Sequence, residues 1–149
     1  MSETEIALLL CGLLAGGDTE VSHDFDNLGG RRGIRVDCET ETHVIEVGLD
    51  KTSSRDSLHQ ALFAAELTGK IPLVVLIDRD GEEGRTEYEM RRIAERAGVG
   101  YVRCAEHMVV RWRATQPWRS LDGGTHDLPQ EGPARGLCNL ARYMPPASG

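Results

Sequence analysis

The chain has 149 residues, of which 40% are hydrophobic and 28% are charged, a composition typical of one globular domain with a buried core. Its formal net charge of −7 argues against a broadly basic nucleic-acid binder, so any such binding has to come from local basic clusters. The apolar stretch 6–17 follows an acidic start, has no positively charged leader and is too short to cross a bilayer. We therefore expect a cytoplasmic protein with no membrane partner.

The four cysteines are spread along the chain as Cys11, Cys38, Cys104 and Cys138. They form no CxxC motif and have no paired histidines at the spacing of zinc ligands, so neither a zinc site nor a disulfide scaffold is indicated. We expect reduced and mostly buried thiols.

The first predicted elements are a helix and a short strand. Residues 4–14 have a helical composition, and Glu3 and Glu5 are well placed for the positive end of its dipole. Residues 20–23 are predicted to be a strand, and the following stretch 24–32 a loop.

A predicted hairpin with one acid on each arm comes next. A four-residue loop would pair Cys38 with His43 and make Asp37 and Glu46 diagonal neighbours on one face, about 7–8 Å apart at the backbone. Two carboxylates at that separation can hold one divalent cation. Glu46 is the more informative of the two acids, because it lies in the apolar run 44–47. Burial of a carboxylate there destabilises the fold by several kcal/mol unless the carboxylate is paired or binds a cation. Solvated acids near a turn are the competing interpretation.

The pattern of apolar residues then predicts helix, strand, helix and strand. The helices are expected at 56–68 and 86–97, and the strands at 71–77 and 101–104. The order implies a parallel pair of strands with a right-handed crossover.

Beyond residue 104 the pattern weakens. Residues 107–113 fit a strand or the start of a helix, and the remainder is rich in Pro and Gly. We therefore divide the chain into an α/β core, residues 1–104, and a partly irregular C-terminal extension, residues 105–149.

Two local basic clusters stand out. Arg31, Arg32 and Arg35 precede the first acid and are candidates for phosphate contacts, although ordinary surface charge explains them equally well. Trp112 and Trp118 lie among arginines and could stack on bases, but packing of the extension onto the core is the simpler explanation.

The order of these elements, with an acid on each arm of the hairpin, resembles the PD-(D/E)XK nuclease superfamily. The segments that carry the resemblance are Arg35-Val-Asp-Cys38, Thr42-His-Val-Ile-Glu-Val47, Gln60-Ala-Leu-Phe63 and Thr68-Gly-Lys-Ile-Pro-Leu-Val-Val-Leu-Ile77. The resemblance covers about residues 4–104. It implies an α-β-β-β-α-β core, in which a mixed sheet is flanked by helices, and a deoxyribonuclease activity that depends on Mg²⁺ or Mn²⁺.

The resemblance also implies a set of site residues. Asp37 and Glu46 match the two metal-binding acids, and the backbone carbonyl of Val47 completes the metal ligands. Gln60 matches a helix residue that some branches use near the scissile phosphate, and Glu5 matches an optional acid of the first helix.

The chain departs from the motif at Gly48, where the family has a lysine that orients the attacking water and offsets phosphate charge. Three interpretations stay open. Lys51 of the following loop could take the place of the motif lysine, Gln60 of the helix could do so, or the site could be inactive. The branches that use Gln also tend to carry a tyrosine four residues later, where this chain has Ala64.

These observations leave two functions in competition. The first is a metal-dependent hydrolase of DNA phosphodiester bonds, and the second is an inactive nuclease-fold protein that acts as an interaction module and forms a homodimer through its last helix or tail. A flavodoxin-like binding domain would need a glycine-rich phosphate loop after a strand, which Gly29, Gly30 and Gly81 fit poorly.

Overall fold

The structure is a computed structural model, and it describes residues 2–13 and 17–121. Its elements in chain order are α1 (Glu3–Leu13), β1 (Asp18–Asn27), β2 (Gly30–Glu39), β3 (His43–Leu49), a 3-10 helix (Thr52–Arg55), α2 (Asp56–Thr68), β4 (Ile71–Asp78), α3 (Arg85–Ala97), β5 (Gly100–Ala105) and α4 (Glu106–Leu121). The predicted α/β class is confirmed. No helix in the described part of the chain is long and apolar enough to span a membrane.

The five strands form one mixed sheet in the order β1-β2-β3-β4-β5. β2 runs antiparallel to both β1 and β3, whereas β3, β4 and β5 run parallel to one another. Helices cover both faces. Ile45 of β3 belongs to a buried cluster with Leu10 of α1 and Val109 of α4, while Val44 packs with Ala64 of α2 on the opposite face.

The first hairpin is longer than the sequence indicates. Residues 24–32, predicted to be a loop, belong mainly to β1 and β2, which pair up to a two-residue turn. Arg31 lies 3.2 Å from Asp24 and 4.0 Å from Asp26 across the hairpin. Opposite charges on paired strands stabilise a hairpin whose composition otherwise resembles a polar loop.

The predicted register of the second hairpin is wrong by two residues. Cys38 pairs with Ile45, not with His43, because the Thr40 N–H donates to the His43 carbonyl and closes a tighter turn. The Thr40 hydroxyl also accepts the His43 N–H at 2.9 Å. The corrected register, extended by one residue beyond the two observed pairs, would set Asp37 opposite Glu46 instead of diagonal to it.

The prediction of reduced thiols is also wrong. Cys11 and Cys38 form a disulfide with their Cα atoms 5.6 Å apart, and Cys104 is disulfide-bonded as well. The bond joins α1 to the strand that carries Asp37, a proximity that the spacing of cysteines cannot reveal. Disulfides persist mainly in oxidising compartments or in hyperthermophile proteins, so a cytoplasmic location stays a prediction.

The C-terminal extension begins with a helix. α4 follows β5 directly and buries Met108 and Val109 against the core. The segment 107–113, predicted to be a strand or a helix start, is therefore helical. Residues 122–149 lie outside the described residues.

Candidate functional site

The candidate site lies where β2 separates from β3. These strands pair only at Cys38 with Ile45 and at Glu39 with Val44, beside the turn. In a continued ladder the next rung would join Val47 to β2 through backbone groups. Instead, the Val47 N–H donates to Asp37 Oδ2 at 2.9 Å. A side chain thus replaces a rung of the ladder, and the two strands part at Asp37.

Backbone irregularity marks the same place on the outer strand pair. Val36 packs toward α2, whereas Cys38 is bonded to α1, although residues two apart in a regular strand face the same side. Glu20, which stands opposite Asp37 on β1, has φ of 51°. A left-handed conformation costs a non-glycine residue about 1–2 kcal/mol. Backbone strain of this kind concentrates at functional sites.

Glu46 is the buried member of the acid pair, with 3% of its surface exposed. Burial raises the pKa of Glu46 to about 9, and the negative charge of Asp37 and a hydrogen bond between the two carboxyl groups contribute further. Glu46 therefore holds a proton at neutral pH when no cation is bound.

Neither acid of this pair has a cationic partner among the described residues. No Lys, Arg or His nitrogen of that part of the chain lies within 4.0 Å of the carboxylate of Asp37 or Glu46. Glu3, at the start of α1, adds a third negative charge that also raises the pKa of Glu46. Glu3 and Asp37 line one cavity under α1.

Lys51 and Gln60 approach from different sides. The Lys51 ammonium lies 3.7 Å from the Glu3 carboxylate, on the side of α1. Gln60 of α2 lines a second cavity together with Glu46. The structure therefore places Gln60 on the same cavity as the buried acid, whereas Lys51 is paired with Glu3.

Gly48 is enclosed by the segment that follows β3. A Cβ atom at this position would lie 2.9 Å from Ser54 Cβ and 3.0 Å from Ser57 Oγ. The Ser54 hydroxyl donates to the Leu49 carbonyl, which fixes the 3-10 helix against the end of the strand. The space that a motif lysine would need is therefore filled.

Of the two acids of α1, Glu3 and not Glu5 lines the cavity that holds Asp37. Glu5 accepts the Ser2 N–H at 2.7 Å and caps the helix, and this hydrogen bond lowers its pKa. Helical periodicity could have shown the difference, because Glu3 precedes the buried Ile6 and Ala7 by three and four residues, on the same face.

A second acidic cluster occurs at the C-terminal ends of β3 and β4. Its carboxylates lie within 4.8 Å of one another, close enough to hold a metal ion, and belong to Asp50, Asp78, Asp80 and Glu87. However, Arg79 lies 2.6 Å from Asp50, and Arg103 lies 2.6 Å from Asp78 and 3.2 Å from Glu87. Two guanidinium groups thus already pair with three of the four carboxylates, Asp50, Asp78 and Glu87.

The remaining candidate residues give little support for a basic surface. Arg31 is paired with acids across its hairpin, and Arg35 lies 3.8 Å from Glu20. Burial lowers the pKa of His43, whose Nδ1 lies 2.7 Å from the Thr42 hydroxyl. The side chains of Trp112 and Trp118 lie outside the described residues.

Comparisons of the chain with protein-family models, with curated proteins and with solved structures gave no match.

The raised pKa of Glu46 predicts an inverse dependence of stability on pH. The folded state keeps a proton on Glu46 that the unfolded state releases. The stabilisation contributed by this proton is therefore complete below about pH 4.5 and is lost as pH rises toward 9. When EDTA removes divalent cations, the release of this one proton changes the free energy of unfolding by at most about 1.4 kcal/mol per pH unit. Urea unfolding between pH 5 and 8.5 should show a shallower fall for Glu46→Gln than for the wild type. Equal slopes would contradict a protonated Glu46, and the exposed Glu95→Gln is the control.

The enclosure of Gly48 predicts that no side chain is tolerated there. Gly48→Ala should lower the free energy of unfolding by about 1–3 kcal/mol, because Ser54 and Ser57 have to move. Gly12→Ala is the matched control, since nothing lies within 4 Å of its Cβ position and alanine favours the helix. Chemical denaturation measures both, and a neutral Gly48→Ala would show that the space is open.

Proposed function

We propose that the protein is a metal-dependent nuclease that hydrolyses DNA phosphodiester bonds at Asp37 and Glu46. The observation that carries the proposal is the pair of adjoining carboxyl groups, one of them buried, with no cationic partner among the described residues. Such a pair requires either a shared proton or a bound cation.

The groups around the gap fit Mg²⁺ or Mn²⁺. Carboxylate and carbonyl oxygens are the ligands that these ions prefer. Asp37 keeps one carboxylate oxygen that does not accept the Val47 N–H. The N–H and carbonyl of a strand residue point to the same edge, so the Val47 carbonyl faces the gap left by the missing rung. Asp37, Glu46 and Val47 would therefore hold the ion.

A bound divalent cation would lower the pKa of a water molecule and stabilise negative charge on the phosphate. The residues of the chain do the rest. Asp37 is held in place by the Val47 N–H, and Gln60 can orient water or phosphate through its amide from the α2 side. Lys51 is the less suitable replacement for the motif lysine, because its ammonium group is paired with Glu3.

The arrangement of the sheet supports the same proposal. A helix precedes three antiparallel strands, and a helix then leads to a strand parallel to the third. This is the order of the PD-(D/E)XK core, and the two acids lie on adjacent strands at the point where they part. We infer membership of that superfamily from these features together with the sequence motifs.

One observation favours the second candidate function, an inactive interaction module. Because Gly48 is enclosed by Ser54 and Ser57, the lysine of the motif cannot be restored by a simple substitution. In that case the protein would retain the nuclease fold and act through protein contacts, for example as a homodimer.

The direct test is calorimetric titration of Mg²⁺ and Mn²⁺ combined with a plasmid-nicking assay on the same samples. Asp37→Asn should abolish nicking and weaken metal binding at least about tenfold, because it removes a charged ligand. The exposed Glu95→Gln, outside both acidic clusters, is the control and should change neither. Absence of metal binding in the wild type would contradict the proposal, whereas binding without nicking would favour the inactive module.

Two further variants decide between Gln60 and Lys51. Gln60→Ala should lower the nicking rate by about 10- to 100-fold, as expected for a group that positions water or stabilises charge. Lys51→Ala should change it by less than about threefold. Rates under single-turnover conditions give the comparison, and the reverse order would assign the role to Lys51.

A further inference from the structure

A cavity of about 340 Å³ lies between the first hairpin and α2, next to Glu46. Its volume is within the range of small-molecule sites. The walls come from Phe25 of β1, Ile34 of β2 and Phe63 of α2. The cavity therefore opens beside the gap in which the two acids meet.

The aromatic lining is unusual for this chain. The sequence contains only two phenylalanines, and both line this cavity. Neither belongs to the three buried hydrophobic clusters, and both are only partly buried. The Phe25 and Phe63 ring centroids are 4.9 Å apart, with the rings at 89° to each other. Two perpendicular rings give a flat ligand one ring face to stack on and one wall at its edge.

The rim of the cavity is polar, and its arginine, Arg35, lies 3.8 Å from Glu20 of β1. Arg35, whose side chain is 67% exposed, stands at the rim with the exposed His59 and Gln60. Arginine and histidine donate hydrogen bonds to phosphate oxygens, while aromatic rings stack on bases regardless of sequence. An aromatic floor with hydrogen-bond donors of Arg35, His59 and Gln60 at its rim is complementary to a nucleotide, which combines a flat base with an anionic phosphate.

We propose that this cavity binds one unpaired nucleobase of single-stranded DNA. The base would lie adjacent to the phosphate that is hydrolysed at Asp37 and Glu46. The proposal rests on the proposed nuclease function for the position of that phosphate. A paired base is stacked within the duplex and cannot enter a cavity of this kind unless it is extruded. The net charge of −7 and the pairing of Arg31 with acids also argue against a broad basic surface of the kind that tracks a duplex.

The test is fluorescence anisotropy with a labelled ten-nucleotide single strand and with the matching duplex, in EDTA so that no cleavage occurs. The single strand should bind at least about tenfold more tightly. Phe63→Leu should weaken its binding about tenfold, in line with the contribution of one stacked base. Tyr88→Leu is the matched control, because Tyr88 is 49% exposed on α3 and does not line the cavity.

Several outcomes separate this proposal from the nuclease proposal. Equal binding of duplex and single strand, or equal effects of Phe63→Leu and Tyr88→Leu, would overturn the cavity proposal even if the protein nicks DNA. Single-strand binding that depends on Phe63 would support it even if no metal binds. If Phe63→Leu fails to fold, Arg35→Gln replaces it in the test. Because the Arg35 side chain is exposed, its replacement should lower the affinity for the single strand about threefold or more without unfolding the protein.

Discussion

The hydrogen bond from the Val47 N–H to the Asp37 carboxylate determines how this sheet is built. Because a side chain takes the place of the backbone carbonyl, pairing of β2 with β3 ends after two residue pairs. Beyond this point β1 and β2 continue as a hairpin away from β3, and Phe25 of that hairpin contacts Phe63 of α2. The gap between the strands, the adjoining acids and the aromatic cavity all result from this one substitution of a rung.

The chain balances buried negative charge in two different ways. At the ends of β3 and β4, Arg79 and Arg103 pair with three of the four acids of the cluster, Asp50, Asp78 and Glu87. At Asp37 and Glu46 the described residues supply no such cation, and the pKa of Glu46 is raised accordingly. A divalent cation from solution would stabilise an acid pair that has no cationic partner more than one that is already paired, which is why we propose the metal site here.

The regular elements were predictable from the sequence because apolar periodicity and helix end signals are local. The limits of α2, α3 and β4 agree to within one residue with the structure. The proximity of Asp37 and Glu46 also followed from the predicted hairpin, because a register error of two residues exchanges a diagonal neighbour for a position directly opposite. Helix α4 was ambiguous, because its apolar residues are too few to define a period.

Other features depend on contacts between distant residues and could not be predicted. The disulfide of Cys11 with Cys38 requires α1 to lie across the end of β2. The enclosure of Gly48 depends on the path of the 3-10 helix. The second acidic cluster depends on the parallel order of β3, β4 and β5. The register error arose from one side chain, Thr40, which closes the turn earlier than the polar run suggests.

The central claim is that a divalent cation replaces the proton held by Glu46 beside Asp37. Calorimetric titration of Mg²⁺ at pH 7.5, repeated in buffers with different ionisation enthalpies, measures the number of protons released on binding. We expect about one proton per ion, because a carboxyl group with a pKa of about 9 is protonated before the ion binds. Binding without proton release, or no binding, would contradict the account.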